Sequence, residues 1–470
     1  MTEKCCITIT DEVECTVTGL NKQHHSHLYN EFGIMVENAF HMPSVKLGRW
    51  DGKVRFYDAY GKVSLRLLDE VIPYIVAWGY EVDIVDKRTP VAQPTKRVTE
   101  DQFAHMIGYG GKPLMIRPYQ VECMNALVDN GSGFVIAATG AGKTLMTAAL
   151  CDVYGDAGHK TLVIVPSGDL VTQTHKAFLM AGLDVGRYDG NNKEIDAQHV
   201  IATWQSLQNN PHLMKLFGMV VVDEAHGAKA DVVQNLINKH GKHIAFRFGV
   251  TGTFPKPKTD QYSLKASIGI VRYQITARWL IDNGYLAEID IEMYETVDDQ
   301  EPFPDYASEK GWLSKYEPRL QGIAAFVEEC RDKYGNTLVL TNDNAFGKRM
   351  VKYIDDSIFM YGETDNKDRQ VEYDLFEQEN DKILVCSSGI AKQGISIDRI
   401  FCLVLIDAGK SFVAAIQSVG RGLRMADDKN EVKVMDVSSG MKYSRKHRKD
   451  RMKYFREAEY PYSKLKKLKY

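Results

Sequence analysis

The chain has 470 residues and a formal net charge of −3, with 44% hydrophobic and 26% charged residues. This length exceeds what one hydrophobic core holds, so we expect about two to four domains of ordinary globular composition. No apolar run approaches the roughly 18 residues of a membrane span, and the N-terminus lacks a signal peptide's apolar stretch. The eight cysteines form no CxxC pair, which argues against a zinc ribbon or disulfide framework and for a reducing cytosol.

Residues 1–90 are predicted to form a small N-terminal α+β domain that engages DNA. The alternation in "ITITDEVECTVTGL" is typical of strands, and helices are predicted near "LYNEFGIMVENAF" and "SLRLLDEVIPYIVAWG". Within "LGRWDGKVRFY" (47–57), Asp51-Gly52 predicts a β-hairpin, because both central positions of a tight primed turn need positive φ. The Pro-containing "DKRTPVAQPTKR" leads into a linker, which we assign to 91–114.

The predicted hairpin combines cations with aromatic side chains. Val54 and Phe56 would face one side of its second strand, and Lys53, Arg55 and Tyr57 the other. Cations neutralise phosphates and aromatic faces stack on unpaired bases, which favours a DNA contact. The candidate DNA-binding residues of this stretch are Arg49, Trp50, Lys53 and Arg55. The alternative is that its tryptophan and tyrosines belong to the core and its charges to a solvated face.

Two α/β domains are predicted after the linker, at 115–290 and 318–440. Apolar runs such as "GFVIAA", "TLVIVP" and "MVVVDEAH" alternate with helical patterns, and the alternation resumes with "TLVLTND", "KILVCSSG" and "IFCLVLIDAG". Continuous apolar strands separated by helices indicate parallel sheets covered on both faces. A polar stretch at 291–317 is predicted to connect the domains. Ligands are expected in a cleft at the carboxyl ends of the strands.

Residues 441–470 are predicted to be a basic C-terminal tail. They contain 12 Lys and Arg against 3 Asp and Glu, so they carry about +9 and the remaining chain about −12. A basic tail on an acidic body is typical of a nucleic-acid partner. The alternative is a solvated, partly disordered end without a binding role.

A phosphate-binding loop is predicted at "AATGAGKT" (137–144), between a strand and a helix. Gly140 and Gly142 let backbone N–H groups approach phosphate oxygens, and the helix N-terminus adds partial positive charge. Lys143 would reach the β- and γ-phosphates, and the Thr144 hydroxyl would hold Mg²⁺. The general pattern begins with Gly, whereas Ala137 stands there in this chain.

Two further motifs complete a candidate ATPase site. In "VVVDEAH" (220–226), an apolar strand ends in Asp223, placed to hold Mg²⁺, and Glu224, placed to orient and deprotonate the attacking water. In "QSVGRGLR" (417–424), Arg421 and Arg424 share one helical face, and their guanidinium groups suit a γ-phosphate. An acidic loop start and an exposed arginine face are the corresponding structural alternatives.

The motifs resemble, in their order over about 310 residues, those of superfamily 2 helicases of the DExH type. "RPYQ", "ATGAGKT", "DEAH", "VTGTF", "SSGIAKQGISID" and "QSVGRGLR" carry the resemblance. Motif VI begins Gln-Ser-Val-Gly-Arg, which is closer to the DNA-directed XPB-like and UvsW-like group than to the DEAD-box or DEAH RNA helicases. "GRWDGKVRFYD" also resembles the "WDG" segment of phage UvsW-like helicases, which act on branched DNA during recombination.

This resemblance implies two tandem RecA-like parallel-sheet domains, with ATP and Mg²⁺ between them. It implies further nucleotide-binding residues: Gln120, Ala138, Thr139, Ala141, Gly394, Asp398 and Gln417. It implies residues that couple hydrolysis to domain movement: His226, Thr251 and Thr253. It implies DNA contacts in the early motifs and motif IV: Ser167, Thr203, Gln205 and Thr341.

The sequence therefore predicts an ATP-dependent DNA helicase or translocase for branched or forked DNA in phage-type recombination, repair or replication restart. Expected partners are single-stranded and branched DNA, with single-strand-binding or recombination proteins as candidates and no membrane. The expected location is the cytoplasm of a bacterial host. The alternatives are an RNA helicase, the motor subunit of a restriction system, and a nucleic-acid-binding module with a degenerate ATPase. Intact Lys143, Asp223, Glu224, Arg421 and Arg424 argue against the last.

Overall fold

The chain divides into two compact units, of which one comprises Met1–Ala137 with Gly142–Ile275 and the other Ala138–Ala141 with Thr276–Tyr470. The computed structural model describes residues 3–108, 111–138, 140–223, 232, 234–252, 254–255, 257–298, 300, 303–364, 366–390, 399–407, 431–457 and 460–470. Among these residues, no helix is both long enough and apolar enough to cross a membrane.

The N-terminal part of the first unit is a small α+β domain, as predicted. Its strands are β1 Lys4–Ile9, β2 Glu14–Thr18, β3 Gly33–Met35, β4 Lys53–Arg55, β5 Lys62–Ser64 and β6 Glu81–Asp86. Its helices are α1 Lys22–Glu31, α2 Pro43–Lys46 and α3 Leu68–Ala77, with 3₁₀ turns at Ala39–His41 and Leu65–Leu67. The mixed sheet has the order β5-β2-β1-β6, and β3 pairs with β4 in a separate ribbon. Alternate residues of β1 enter the core, as the polar–apolar alternation requires.

The hairpin predicted at 47–57 is wrong. β4 pairs antiparallel with β3, not with the residues that precede Asp51. Those residues leave helix α2 in a turn, where the N–H groups of Arg49 and Trp50 both donate to the carbonyl of Ser44. Gly52 does have positive φ, at 78°. Asp-Gly therefore marks the end of a long β3–β4 loop, which returns the chain to a distant strand.

A seven-stranded parallel sheet forms the rest of the first unit. Its strands are β7 Ser132–Ala137, β8 Thr161–Val165, β9 Val185–Tyr188, β10 His199–Thr203, β11 Met219–Asp223, β12 Phe246–Thr251 and β13 Val271–Ile275, in the order β13-β7-β12-β11-β8-β10-β9. Its helices are α4 Pro118–Asn130, α5 Lys143–Asp156, α6 Gly168–Met180, α7 Trp204–Asn209 and α8 Lys258–Ile268, with a 3₁₀ helix at Pro211–Leu216 and a π-helix at Asn235–His240. The central strands are buried along their whole length, which explains their continuous apolar sequences.

The N-terminal domain is fastened to this sheet by polar contacts that involve helix α8 and strand β13. Lys265 of α8 forms an ion pair with Glu70 at 2.6 Å, and Arg272 of β13 forms one with Asp69. The Arg66 guanidinium donates to the carbonyl of Ala245 at 2.5 Å. The linker expected at 91–114 packs on helices α4 and α5 instead, since the Val98 N–H donates to the Asn125 side chain at 3.0 Å and the Gln102 amide donates to Asp152 at 2.7 Å.

A second seven-stranded parallel sheet forms the second unit. Its strands are β14 Glu288–Thr296, β15 Thr337–Thr341, β16 Ile358–Met360, β17 Ile383–Ser387, β18 Cys402–Ile406, β19 Glu431–Ser439 and β20 Lys466–Leu468, in the order β16-β17-β15-β18-β19-β14-β20. Its helices are α9 Ala277–Asp282, α10 Tyr306–Leu313, α11 Glu317–Tyr334, α12 Asn344–Met350, α13 Asn366–Gln378 and α14 Lys442–Glu457. Two parallel sheets confirm the predicted α/β class and its tandem RecA-like arrangement.

Two segments differ from the sequence expectation. The range predicted as a connector from 291 contains most of β14, which pairs with β19 along its full length. The predicted basic tail at 441–470 is folded, because α14 packs on β19 and β20 pairs with β14. Two of its arginines are buried in ion pairs, Arg448 with Glu295 at 2.5 Å and Arg451 with Asp436 at 2.7 Å. Part of the tail's charge is therefore neutralised inside the domain.

Candidate functional site

The phosphate-binding loop joins the carboxyl end of β7 to the first residue of α5. Gly140 and Gly142 have φ of 85° and 80°, in the left-handed region where residues with a Cβ are strained. Gly142 caps α5, so the N–H groups of the first turn open toward the loop. The Lys143 ammonium donates to the Ala137 carbonyl at 3.3 Å, which folds the lysine back over the loop. Thr144 follows it in the first helical turn.

Gln120 contacts the phosphate-binding loop directly. It lies in the first turn of α4, is buried, and accepts a hydrogen bond from the Arg117 N–H at 2.8 Å. Its amide nitrogen would lie 2.3 Å from a Cβ on Gly142. The glutamine predicted to bind nucleotide is therefore packed against the glycine that caps α5.

Asp223 and Thr251 end the strands beside the loop. β12 lies between β7 and β11, with Thr251 opposite Ile136 of β7 and Asp223 opposite Val250. All three strands are parallel, so the loop, the carboxylate and the threonine share one edge of the sheet. Asp223 is 8% exposed. Its carboxylate oxygens and the Thr144 hydroxyl are hard oxygen donors of the type that Mg²⁺ prefers, so the residues fit the expected ion.

The early nucleic-acid motifs lie farther along the same edge. Ser167 caps α6 just after β8, and Thr203 caps α7 just after the neighbouring β10. The Gln205 amide donates to the Pro166 carbonyl at 3.3 Å, which joins the two loops. Thr203 is buried and donates to the Ser206 hydroxyl at 3.0 Å, whereas Gln205 is exposed. Gln205 is therefore better placed than Thr203 to meet a ligand with its side chain.

Thr341 ends β15 in the second unit. Its side chain is buried, and its hydroxyl accepts a hydrogen bond from the Asp343 N–H at 3.2 Å. It lines a shallow pocket with Tyr306, Lys310 and Asp407 at the carboxyl ends of β15 and β18. The threonine hydroxyl is thus used to hold the turn that follows β15.

The candidate DNA-binding side chains of the N-terminal domain are of two kinds, those accessible to a ligand and one that is paired within the domain. Arg49 is exposed, and Lys53 and Trp50 are half-buried, with the Trp50 indole donating to the Lys53 carbonyl at 3.0 Å. The Arg55 guanidinium is paired with Asp51 and lies 4.4 Å from the centre of the Tyr29 ring. Its hydrogen bond also holds the pKa of the Asp51 carboxyl below its usual value. Arg55 is thus used within the domain.

Some predicted site residues lie outside the described part of the chain. They are Thr139, Glu224, His226, Thr253, Gly394, Asp398, Gln417, Arg421 and Arg424. Sequence reasoning also missed an exposed apolar set in the β3–β4 loop, at Phe40, Met42 and Leu47. The available signal was that 40–49 contains four large apolar side chains, Phe40, Met42, Val45 and Leu47, but no acidic residue.

Comparisons with known proteins agree with this arrangement. Residues 113–256 match the family described as "Type III restriction enzyme, res subunit", and residues 321–426 match "Helicase conserved C-terminal domain". The chain is 24% identical over 429 residues to the protein named ATP-dependent DNA helicase uvsW of Enterobacteria phage T4, covering 85% of this chain and 84% of that protein.

Two further comparisons extend the match. A Halobacterium salinarum protein named as a Rad25 DNA 3'-5' helicase is 28% identical over 338 residues, covering 67% of this chain. The chain spans only about half of that relative, 54% of its length. The crystal structure of T4 UvsW has a TM-score of 0.51 at 21% identity and covers 99% of each chain, a likeness of fold. The two family matches together span more than half of the sequence, and the chain belongs to the superfamily 2 helicases, which couple ATP hydrolysis to nucleic-acid unwinding.

Proposed function

We propose that the protein is an ATP-driven DNA helicase or translocase that acts on branched or forked DNA in phage-type recombination, repair or replication restart. The observation that carries the proposal is the shared edge of the first sheet, with Lys143, Asp223 and Thr251 at or beside three neighbouring strand ends. The choice of DNA is supported by relatives named as DNA helicases, one of them uvsW of phage T4.

ATP would bind at the loop between β7 and α5. Lys143 would stay in contact with the γ-phosphate during the reaction, and the N–H groups of the first helical turn would donate hydrogen bonds to the phosphate oxygens. Thr144 and Asp223 would hold Mg²⁺, which when bound neutralises charge on the β- and γ-oxygens. Glu224 would orient and deprotonate the attacking water. Further proposed nucleotide contacts are Gln120, Ala138, Thr139, Gly140, Ala141, Gly142, Gly394, Asp398 and Gln417.

Hydrolysis would be coupled to movement between the two sheet domains. We assign Arg421 and Arg424 to the γ-phosphate, where their guanidinium groups stabilise charge that develops during transfer. We assign His226, Thr251 and Thr253 to the coupling of hydrolysis with domain movement. Cycles of closure and opening would then carry the protein along one strand.

DNA would lie along the loops that follow β8, β10 and β15. Ser167, Thr203, Gln205 and Thr341 are the proposed contacts there, with the buried Thr203 and Thr341 acting through the turns that they hold. In the N-terminal domain, Arg49, Trp50 and Lys53 remain proposed contacts. Arg55 now has a different proposed role, which is to hold the loop through Asp51.

The domain bounds belong to the proposal too, with motor domains at 115–290 and 318–440 after an N-terminal DNA-engaging domain at 1–90. We extend the second motor domain to include β14 and residues 441–470, because their strands join its sheet.

Single-strand-binding or recombination proteins are the proposed partners, and a bacterial host's cytoplasm is the proposed location.

The motor subunit of a restriction system is a second candidate, favoured by the family description matched at 113–256. One experiment separates the candidates: ATP hydrolysis by the full chain with single-stranded, duplex, forked and four-way DNA, and with RNA. We expect stimulation by DNA, and unwinding of forks and four-way junctions. Stimulation by RNA alone would overturn the choice of DNA. ATP-dependent movement on duplex DNA without fork unwinding would favour a restriction motor.

A further inference from the structure

The loop between β3 and β4 exposes three large apolar side chains, Phe40, Met42 and Leu47, which we call the apolar ridge. Phe40 is 63% exposed and Leu47 is 65% exposed. They lie within eight residues of sequence, on one turn of 3₁₀ helix, the residue after it, and the residue that follows α2. Scattered exposed apolar residues are ordinary on a protein surface, whereas a group of them in one loop is a candidate interaction site.

The ridge is held in place by the fold of the loop. The Val36 N–H donates to the Gly52 carbonyl at 2.9 Å, which closes the loop at its base. Ala39, next to Phe40, is fully buried. A Cβ on Gly52 would lie 2.9 Å from both the Ala39 methyl and the Met35 sulfur, so the loop is closely packed there. A fixed backbone keeps Phe40 presented to solvent, so little order has to be gained when a ligand binds.

The charges around the ridge favour a polyanion. Lys46 and Arg49 are exposed, and residues 40–49 contain no aspartate or glutamate. The nearest acids in sequence are Glu37, which is exposed three residues before Phe40, and Asp51, which is paired with Arg55, so the two exposed cations outnumber the one acid that is unpaired among the described residues. Cations that flank an apolar surface suit a nucleic acid, whose phosphates pair with the cations while its bases meet the apolar groups.

The loop is also connected mechanically to the first motor domain. Phe56, which follows β4, lies 5.6 Å from Tyr262 of α8, measured between ring centres, and Phe32, which precedes β3, lies 6.3 Å from it. Helix α8 begins seven residues after Thr251, the strand end beside the phosphate-binding loop. The ridge is therefore carried by the same unit as Lys143 and helix α5.

We propose that the apolar ridge is a wedge that inserts against the bases where paired and unpaired DNA meet, with Lys46 and Arg49 on the flanking phosphates. This inference rests on the proposed function and deepens it, because it names the part of the DNA that the N-terminal domain contacts. Apolar side chains that enter a base step unstack it, and every base offers a face for such contact.

The test uses the full chain and a fork carrying 2-aminopurine at the last paired position. Without ATP, the wild type should raise the fluorescence of this base, because unstacking relieves its quenching. Phe40→Ala/Leu47→Ala should lose that rise and should lower fork unwinding by about tenfold relative to the ATPase rate on single-stranded DNA. Phe40→Trp/Leu47→Met, which keeps apolar surface, should restore both.

The control removes comparably exposed apolar groups elsewhere, in Ile84→Ala/Leu179→Ala, both 52% exposed in the wild type. It should behave as wild type in fluorescence and unwinding. A second variant, Lys46→Glu/Arg49→Glu, should weaken fork binding and flatten its dependence on salt.

The proposal that the ridge acts as a wedge is contradicted if Phe40→Ala/Leu47→Ala unwinds forks as the wild type does. It is also overturned if that variant instead changes self-association or the capture of a recombination protein, which would make the ridge a protein interface. These outcomes differ from failure of the proposed function, in which the wild type itself would show no ATPase stimulation by DNA.

Discussion

The side-chain amide of Gln120 occupies the space that a side chain on Gly142 would need. The amide nitrogen would lie 2.3 Å from a Cβ built there. Gly142 caps the helix that begins at Lys143, and Gln120 belongs to helix α4, which precedes β7. The contact makes the shape of the phosphate-binding loop depend on a residue 22 positions earlier, which links the proposed nucleotide contact of Gln120 to the geometry of the loop.

Gly142→Ala should weaken ATP binding and destabilise the first motor domain. The positive φ costs a residue with a Cβ about 1–2 kcal/mol, and the displaced Gln120 amide adds to that. In a Gln120→Ala background the clash disappears and only the backbone cost remains, so the two changes should be non-additive. ATP titrations and thermal melts of the four proteins measure this. Gly311→Ala is the control, because nothing lies within 4 Å of its added methyl group. If the effects of changing Gln120 and Gly142 are additive, the contact between them is contradicted.

Lys143→Ala should abolish ATP hydrolysis and unwinding. Its ammonium is folded over the loop, where it can accompany the γ-phosphate into the transition state. DNA binding without nucleotide should largely survive, because the proposed DNA contacts lie on other loops. Lys176→Ala, on the exposed face of α6, is the matched control and should keep its ATPase rate. Near-normal hydrolysis by Lys143→Ala would remove the loop from the mechanism.

The edge of the first sheet that carries the phosphate-binding loop could be predicted from the sequence, because each motif there lies next to its own strand in the chain. β7, β11 and β12 are buried apolar runs, and the loop and the acidic motif directly follow two of them. Long-range pairing was not predictable in this way. β14 alternates charged and apolar residues, which is itself typical of a strand, but only its pairing with β19, more than a hundred residues later, shows that it belongs to the second sheet. Asp51-Gly52 failed as a hairpin signal for the same reason, because its strand partner, β3, lies before the loop.

Removal of residues 441–470 should unfold the second motor domain rather than merely weaken DNA binding. Arg451 donates to both oxygens of Asp436, at 2.8 and 2.7 Å, and both side chains are buried. Arg451→Met would leave Asp436 charged and buried, which costs about 3–5 kcal/mol. Urea unfolding followed through the second domain measures this loss. Lys449→Ala, exposed on the same helix, is the control for charge alone. A truncated chain that is fully folded would restore the idea of a free tail.

Stability of the first unit should fall as the pH rises above about 9. Burial raises the pKa of the Cys123 and Cys151 thiols to about 12. In the unfolded chain these thiols release protons near their ordinary pKa of about 8.5, while the folded chain retains them, so unfolding becomes easier from that pH upward. Each such group contributes a slope of up to about 1.4 kcal/mol per pH unit. We expect the urea midpoint to fall less steeply between pH 8 and 10.5 in Cys151→Ala than in Val153→Ala. Val153 is a buried residue on the same helix, and its replacement removes no titrating group. Equal slopes would assign the alkaline loss to other groups.

Asp223→Asn should separate nucleotide binding from metal-dependent hydrolysis. The amide keeps the shape of the carboxylate at the end of β11 but removes the charge that would hold Mg²⁺ beside Thr144. We expect kcat to fall by about a hundredfold or more, because the developing charge on the phosphates loses its counter-ion. ATP binding in EDTA should stay close to that of the wild type, whereas the gain in affinity on adding Mg²⁺ should shrink. Glu288→Gln, an exposed residue at the start of β14, removes one carboxylate charge elsewhere and should leave both measurements unchanged. If Asp223→Asn hydrolyses ATP with the Mg²⁺ dependence of the wild type, the strand-end carboxylate is not a metal ligand, and the edge of the first sheet needs another explanation for its acidic residue.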